Sequence, residues 1–335
     1  MARFLATRIL SAIPLLLALS LVTFFIIKAV PGDYADYLKS MLMSQGNVSA
    51  EAAEAQANAY RAAHGLNLPL PLQYLNWLWG ILTRFDFGQS FYYNRPVGDV
   101  VAERLPRTIL LALTCHFFAS AIGITLGIVA ATRQYSWVDT LFGFISFLGM
   151  TIPRFLMALI IIYILAFKLN VQEIGSFNSS YYGGQPWSWG KFVDLASHVW
   201  PVVFIATFGG LAYNMRVMRA NLLDVLNAQY VETARAKGLS NAAVILKHAV
   251  PNALHPLIAY QGVVLPYMLT GEIEVAIVFG LATVGPAIVG SLGVGDVWVT
   301  ATFMLVLATT LIIGNIISDL LLALLDPRIR LGGNA

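Results

Sequence analysis

Apolar residues run along this chain in blocks too long for the narrow stripe of a soluble helix. Six of them fall at about 9–30, 106–132, 141–167, 199–215, 257–279 and 300–325. Each is near the roughly 20 residues that an α-helix needs to cross about 30 Å of hydrocarbon. The first is longer than the apolar run of a signal peptide and no small-residue cleavage site follows it, so it reads as a retained helix. The third is interrupted by Pro153-Arg154, the fourth is short and holds Gly209-Gly210, and the fifth contains Pro266. Between the first two lies a long outer loop, 31–105. Within it the Ala/Glu-rich stretch Ser49 to Ala63, closed by Gly65, predicts a short helix with a glycine C-cap. Pro69, Pro71 and the pair Trp77/Trp79 follow, the makings of an amphipathic segment at the interface. The pattern predicts an all-α, polytopic membrane protein with six transmembrane helices in one domain, 1–335.

Lys and Arg near the span ends set the orientation. Arg3, Arg8, Arg133, Arg216, Arg219, Arg235, Lys237, Lys247, Arg328 and Arg330 all fall on one side, which places both termini in the cytoplasm. The polar segment 216–255 is then the main cytoplasmic feature. From Asn221 to Lys237 it has no Gly or Pro, and Leu222, Val225, Leu226 and Gln229 recur at helical spacing. Gly238 ends that helix as a C′ glycine. Ser240 is placed to cap a second helix, Asn241 to Val250, which stops before Pro251. The product is a helix, a sharp turn and a helix projecting into the cytoplasm, with Ala234 and Ala236 keeping the surface small enough for close approach by another protein. An ordinary positive-inside loop and a docking lever both fit this pattern.

Composition narrows the chemistry. Of 335 residues 58% are apolar and 11% charged, with a mean hydropathy of +0.74, against about 45–50% and roughly 25% in a soluble domain. A net charge of +3 provides no basic field for nucleic acid. The single cysteine, Cys115, excludes a disulfide framework and a cysteine metal cluster. His248 and His255 do not form a facing i, i+4 pair, so no metal site is expected. No G-x-x-x-x-G-K-[ST] occurs, so the chain itself cannot cradle a nucleotide. Ser291, in Gly290-Ser-Leu-Gly293, is expected in an outer loop and is a poor nucleophile candidate.

Glu232-Thr233-Ala234-Arg235-Ala236-Lys237-Gly238, with Pro251 thirteen positions after the glycine, resembles the EAA loop of binding-protein-dependent ABC importer permeases. Tyr230 to Ser240 resembles its form in the dipeptide/oligopeptide/nickel branch. Pro31-Gly32-Asp33, Gly65-Leu66-Asn67 with Gln73-Tyr74, Asp86-Phe87-Gly88-Gln89-Ser90, Arg95-Pro96-Val97 and Arg104-Leu105-Pro106-Arg107-Thr108 resemble that family's motifs in order. Asn315, Asp319 and Asp326-Pro327-Arg328-Ile329-Arg330 resemble its C-terminal signature. One departure stands out. Ala276 occupies the place of the family's glutamate, Phe279 is kept, and Ala282-Thr283 replaces a Pro-Gly turn, with Glu272 and Glu274 just before.

The resemblance implies a type I ABC importer-like transmembrane domain in the bacterial cytoplasmic (inner) membrane. The chain would not be an enzyme. It would bind no cofactor of its own, with ATP and Mg held by two ATP-binding partner subunits. A second homologous permease, a periplasmic or extracellular substrate-binding protein and membrane lipid complete the partners, with no nucleic acid. The cargo would be peptides, with oligosaccharide, opine or nickel as alternatives. Glu232, Thr233, Ala234, Arg235, Ala236, Lys237, Gly238 and Leu239 would couple to the ATPase, Glu232 either by touching it or by holding its own loop through backbone N–H groups or Arg235. Charges inside spans cost roughly 2.5–3.5 kcal/mol on insertion scales and are functional candidates by default. Arg154, Glu272, Glu274 and His116 are therefore candidates for the translocation pathway, either lining it or pairing between helices. Asp319, Asp326 and Arg328 read as structural. Arg219 and Lys247 read as solvated or headgroup contacts.

Overall fold

The computed structural model describes residues 2–45, 48–171, 173–260, 264 and 273–325. Expected as one domain, the chain forms two compact units, residues 1–108 with 283–312 and residues 109–282 with 313–335. Strand structure among the described residues is confined to one two-residue antiparallel pairing, Gln89–Ser90 with Arg95–Pro96.

In the first unit α1 (Ala2–Ala29) ends where Gly32, at φ +95°, turns the chain into α2 (Tyr34–Ser44). Asp33 and Asp36 form a capping box there: Asp33 accepts from the Asp36 N–H at 3.0 Å and Asp36 accepts from the Asp33 N–H at 2.9 Å. Arg61, from α3 (Ala50–Ala63), forks onto Asp33 at 2.9 and 3.2 Å and reaches Asp36 at 2.5 Å. The predicted loop helix is present with Ser49 as its N-cap and Gly65 at φ +65° beyond its end. Helix α4 (Leu70–Arg84) turns Trp77 inward against Phe24, Tyr74 and Val297, while Trp79 is 67% exposed. The Phe24 and Trp77 rings stack at 6.0 Å, and the Ser20 and Tyr74 hydroxyls bond at 2.8 Å.

Asp296, just ahead of the terminal helix Val297–Leu325, is fully buried in this unit. Its carboxylate accepts from Ser90 Oγ at 2.7 Å, the Tyr92 N–H at 3.0 Å and, more distantly, the Val299 N–H at 3.4 Å. Thr108 Oγ1 accepts from the Val284 N–H at 2.9 Å, and Arg104 donates to the Thr283 carbonyl at 3.2 Å. Ser291 lies inside the short apolar helix Val284–Gly293, fully buried, rather than in an open loop.

The second unit is organised along α8 (Trp189–Leu226), 38 residues long and capped by Ser188. The short fourth span, 199–215, is only its middle: apolar residues mark hydrocarbon, whereas helix continues wherever no breaker intervenes. Helix α5 (Val97–Thr132) approaches α8 on glycine. A Cβ on Gly123 would stand 2.7 Å from the Leu211 carbonyl oxygen, and one on Gly127 at 2.7 Å from that of Met215. Gly149 of α6 (Trp137–Thr151) lies equally close, at 2.5 Å from the Phe208 carbonyl oxygen. These are small-residue contacts of the kind that hold helices together in lipid.

The third span, expected as one run over 141–167, is broken. Helices α6 and α7 (Arg154–Tyr163) meet at 94° across Ile152-Pro153. The Pro153 ring bars Ile152 from the α region and withholds an N–H from the ladder. A π-helical turn, Ile164–Lys168, finishes α7. Four described helices are long and apolar enough to cross a membrane, and five spans result if the bent pair is one. Residues 261–263 and 265–272 of the fifth expected span, 257–279, lie outside the described residues.

Two measurements check this account. Gly127→Val should lower the melting temperature of the detergent-solubilised chain sharply, since the added atoms meet backbone rather than a mobile side chain. Gly143→Ala, with open space at its Cβ, should be neutral or stabilising by up to about 1 kcal/mol. Burial holds the Asp296 carboxyl above the ordinary range, with the bonds from Tyr92 and Ser90 offsetting part of that rise. The folded state therefore keeps this proton longer than the unfolded one, and the contribution is lost as pH rises through the folded value. Melting curves between pH 4 and 8 should show Asp296→Asn gaining on the wild type as pH increases.

Candidate functional site

The 216–255 segment departs from the single helix expected over Asn221 to Lys237. Helix α8 ends at Leu226, and α9 (Gln229–Ala236) starts after a break at Asn227-Ala228. Asn227 makes the break: its side chain donates back to the Leu223 carbonyl at 3.0 Å, competing with the backbone ladder. Beyond α9, Lys237 and Gly238 donate to the carbonyls of Thr233 and Arg235. Gly238 stands at φ +78° with nothing within 4 Å of where a Cβ would be. The glycine is therefore required by backbone conformation and not by space.

Ser240 caps the next helix as expected, accepting from the Ala243 N–H at 3.3 Å. That helix does not stop before Pro251. It runs as Asn241–Ala243, widens to a π turn over Val244–Ala249, and continues through Val250–Ala253. The wide turn sends the Val250 N–H to the Ile245 carbonyl, so the missing N–H of Pro251 falls where the ladder is already reset.

Each of the eight coupling candidates now has a place. Ala234, expected at the surface, is buried with Val231 in a core shared with Met218, Leu222, Val244, Ala249 and Leu257. Its small side chain serves the seat of α9 on α8, not an external contact. Glu232, Thr233, Arg235, Ala236, Lys237, Gly238 and Leu239 are exposed. Thr233 returns its hydroxyl to the Gln229 carbonyl at 2.9 Å. Among the described residues the Glu232 carboxylate accepts no hydrogen bond and closes no ion pair, so it does not hold its own loop through Arg235 or backbone N–H groups.

Arg219 is likewise not a solvated headgroup contact. It forks onto Asp139 at 2.7 and 2.8 Å, tying the C-terminal part of α8 to the first turn of α6. This pair escaped the sequence because Asp139 reads as an ordinary first-turn acid after the cap Ser136. The Gly123-x-x-x-Gly127 spacing on α5 was the signal that would have revealed the α5–α8 contact.

Of the pathway candidates, Arg154 and His116 come together and Glu274 does not join them. A cavity of about 180 Å³ in the second unit is lined by Arg154, His116, Gly209, Tyr213, Asn214 and Tyr260 among others. The Arg154 guanidinium lies across Gly209, where a Cβ would stand 2.8 Å from its Nε. Glu274 is exposed on the helix Ile273–Val278. Ala276, standing where a glutamate was expected, is buried with Phe279 against residues of α7 and α8. Gly280, at φ +59°, makes the turn that follows in place of a Pro-Gly pair. Glu272, Asp326 and Arg328 lie outside the described residues, as does the side chain of Asp319.

Long apolar helices, two of them locked by glycine to backbone carbonyls, with a helix pair seated on a polar extension, define a multi-pass α-helical membrane protein. The chain belongs to the family of binding-protein-dependent transport system inner membrane components, whose model matches residues 123–331, while that of the family's N-terminal part matches residues 1–112. It is thus a permease component of an ABC transporter of the inner membrane. It is 34% identical to the oligopeptide transport system permease protein AppB of Bacillus subtilis, over 98% of this chain and 100% of that protein. The oligopeptide transport system permease protein OppB of Haemophilus influenzae is also 34% identical, over 98% of this chain and 100% of its own length.

The turn at Gly238 yields a direct check. Gly238→Ala and Gly238→Asn both add a side chain into open space, but only Asn tolerates a positive φ well. Gly238→Ala should cost about 1–2 kcal/mol locally, seen as faster amide exchange over 229–240, and Gly238→Asn should cost less.

Proposed function

We propose that this chain forms half of the translocation pathway of an ATP-driven peptide importer. The peptide assignment comes from the two oligopeptide permeases that align along its whole length. Both termini face the cytoplasm in this reading, and a second homologous permease completes the pathway. Two ATP-binding subunits hold ATP and Mg and carry out the hydrolysis, and an external binding protein delivers the cargo.

The observation that carries the reading is the cytoplasmic helix pair. Helix α9 turns Val231 and Ala234 into the core and leaves Glu232, Arg235 and the Gly238 turn outside. One face is fixed to α8 and the other is available to a partner. When the ATPase pair closes on ATP, a partner gripping the exposed face displaces α9 and, through its seat, the cytoplasmic end of α8. The bundle then opens outward to accept peptide, and hydrolysis restores the inward-facing form.

Purification of the tagged chain from native membranes in mild detergent tests this. An ATPase and a second permease should come with the wild type, and the complex should hydrolyse ATP faster when binding protein and peptide are added. Glu232→Arg, which reverses the charge on the exposed face and leaves the core of α9 intact, should release the ATPase or abolish the stimulation. Recovery of the wild type alone under several gentle conditions would overturn the assignment.

A further inference from the structure

Two helices of the long loop 31–105 turn opposite kinds of surface outward. On α3 the exposed residues are Glu51, Gln56 and Asn58 among alanines, a face suited to water. On α4 they include Leu72, Leu75, Trp79 and Leu82, which recur at helical spacing and form one stripe. Phe85 continues the stripe past the last turn, 81% exposed. Nothing charged stands in α4 before Arg84. Thr83, at the edge of the stripe, returns its hydroxyl to the Trp79 carbonyl at 2.6 Å, so that donor needs no water. The polar side chains serve the other flank, where Asn76 and Arg84 line a cavity of about 210 Å³ with His64, Gln73 and Asp86.

The depth of α4 follows from its seat on α1. The apolar run of that long helix ends at Lys28. Tyr74 bonds the Ser20 hydroxyl and Trp77 stacks on Phe24. Those two α1 residues stand about 12 and 6 Å below Lys28, at 1.5 Å per residue. Even with the length of a tyrosine side chain allowed for, α4 lies level with the last turns of α1 and not above them. There α1 exposes apolar side chains on opposite sides, Leu19, Val22 and Ile26 on one and Leu17, Leu21 and Phe25 on the other. The Phe25 ring comes within 6.5 Å of Tyr74, so the outward surfaces of α1 and α4 adjoin. A surface continuous with the flank of a spanning helix, at the same level and without charge, has acyl chains as its natural occupant. Trp79 and Arg84 are the residue types that anchor such a helix, a tryptophan at the headgroup level and an arginine reaching up to it. We propose that α4 is seated in the outer leaflet, its stripe among the acyl chains and Arg84 at the headgroups, so that the loop is anchored in the bilayer at a fixed depth. The choice of leaflet rests on the orientation proposed above; the embedding does not.

The complete transporter, reconstituted in vesicles, offers the test. With Cys115 replaced by alanine, single cysteines carry a spin label at Leu75→Cys and Leu82→Cys, with Gln56→Cys on α3 and Val22→Cys on α1 as the references for water and lipid. Power saturation compares access of oxygen, which dissolves in lipid, with that of a nickel chelate, which does not. Leu75→Cys and Leu82→Cys should resemble Val22→Cys, at a depth of about 5–10 Å into the boundary between headgroups and acyl chains. Access to nickel equal to that at Gln56→Cys would put the stripe in water, and shielding from both reagents would put it under protein; either result overturns the proposal. A phospholipid with a photoreactive acyl chain should tag residues 72–85 of the unaltered transporter and leave 51–58 untagged, which decides the matter should a labelled variant not assemble. In intact cells an impermeant maleimide added outside should react with Gln56→Cys. Reaction only after lysis overturns the orientation, and with it the outer leaflet, while the depth measurement still judges the embedding.

Discussion

Backbone contact between helices, made possible by missing side chains, is the constraint on which the second unit depends. In water, burial of apolar surface would hold α5, α6 and α8 together. Lipid offers apolar groups as good a home outside the bundle as inside, so association has to come from close fit. Gly123, Gly127 and Gly149 provide it by letting two helices, α5 and α6, approach carbonyl oxygens of α8 at Leu211, Met215 and Phe208. Those three carbonyls lie within two turns of one another. They fix α8 at the level where Arg154 crosses Gly209, and also just above the core in which α9 is seated. The α9 seat and the Arg154 cavity thus hang on the same member.

Charge is handled by a second device: three ionisable groups near the span ends are fixed by forked or multiple hydrogen bonds. Arg219 with Asp139 and Arg61 with Asp33 are both bidentate. Asp296 has three donors aimed at it and remains costly to ionise, because burial outweighs them. Such pairs add little net stability on average, yet they determine geometry: one sets the angle of α6 on α8, another the turn from α1 into α2.

Much of this was legible in the sequence, and what was not has physical causes. The apolar blocks, the helix capped by Ser49, the glycine at 238 and the cap at Ser240 follow from local chemistry, which a single sequence records directly. The motifs Pro31-Gly32-Asp33, Asp86 to Ser90 and Arg104 to Thr108 were recognisable, but their purpose was not. They are the turn, cap and cross-bonds of the first unit, and their partners, Arg61, Asp296, Thr283 and Val284, lie up to about 200 residues away in the chain. Helix lengths went wrong at α8 and at Asn227 for opposite reasons. Hydropathy stops at the membrane surface while the helix does not, and a helix in polar sequence can be ended by one side chain bonding its own backbone. Ala234 was misplaced because a small residue in a polar run reads as surface until the seat beneath it is seen. Arg154 and His116 were singled out as costly groups within spans, but their shared cavity depends on a 94° bend whose size Pro153 alone does not specify.

The α9 seat and the Arg154 cavity are joined by one continuous rod. Leu222, on which α9 rests, and Gly209, against which Arg154 lies, are thirteen residues apart in α8, about 20 Å at 1.5 Å per residue. No proline interrupts that stretch, since Pro201 lies nearer the N-terminal end of α8. A push delivered at the α9 seat is therefore carried by an unbroken hydrogen-bonded ladder and not dissipated at a hinge. The receiving end is sensitive, because the guanidinium touches backbone with no side chain between them. A shift of α8 by even an ångström at Gly209 must either move the guanidinium or open the contact. The bend at Ile152-Pro153 gives α7 its own direction, so the two walls of the cavity belong to elements aimed differently. The sequence has thus placed an inflexible helix between the α9 seat and the cavity, and a break where the cavity's other wall begins.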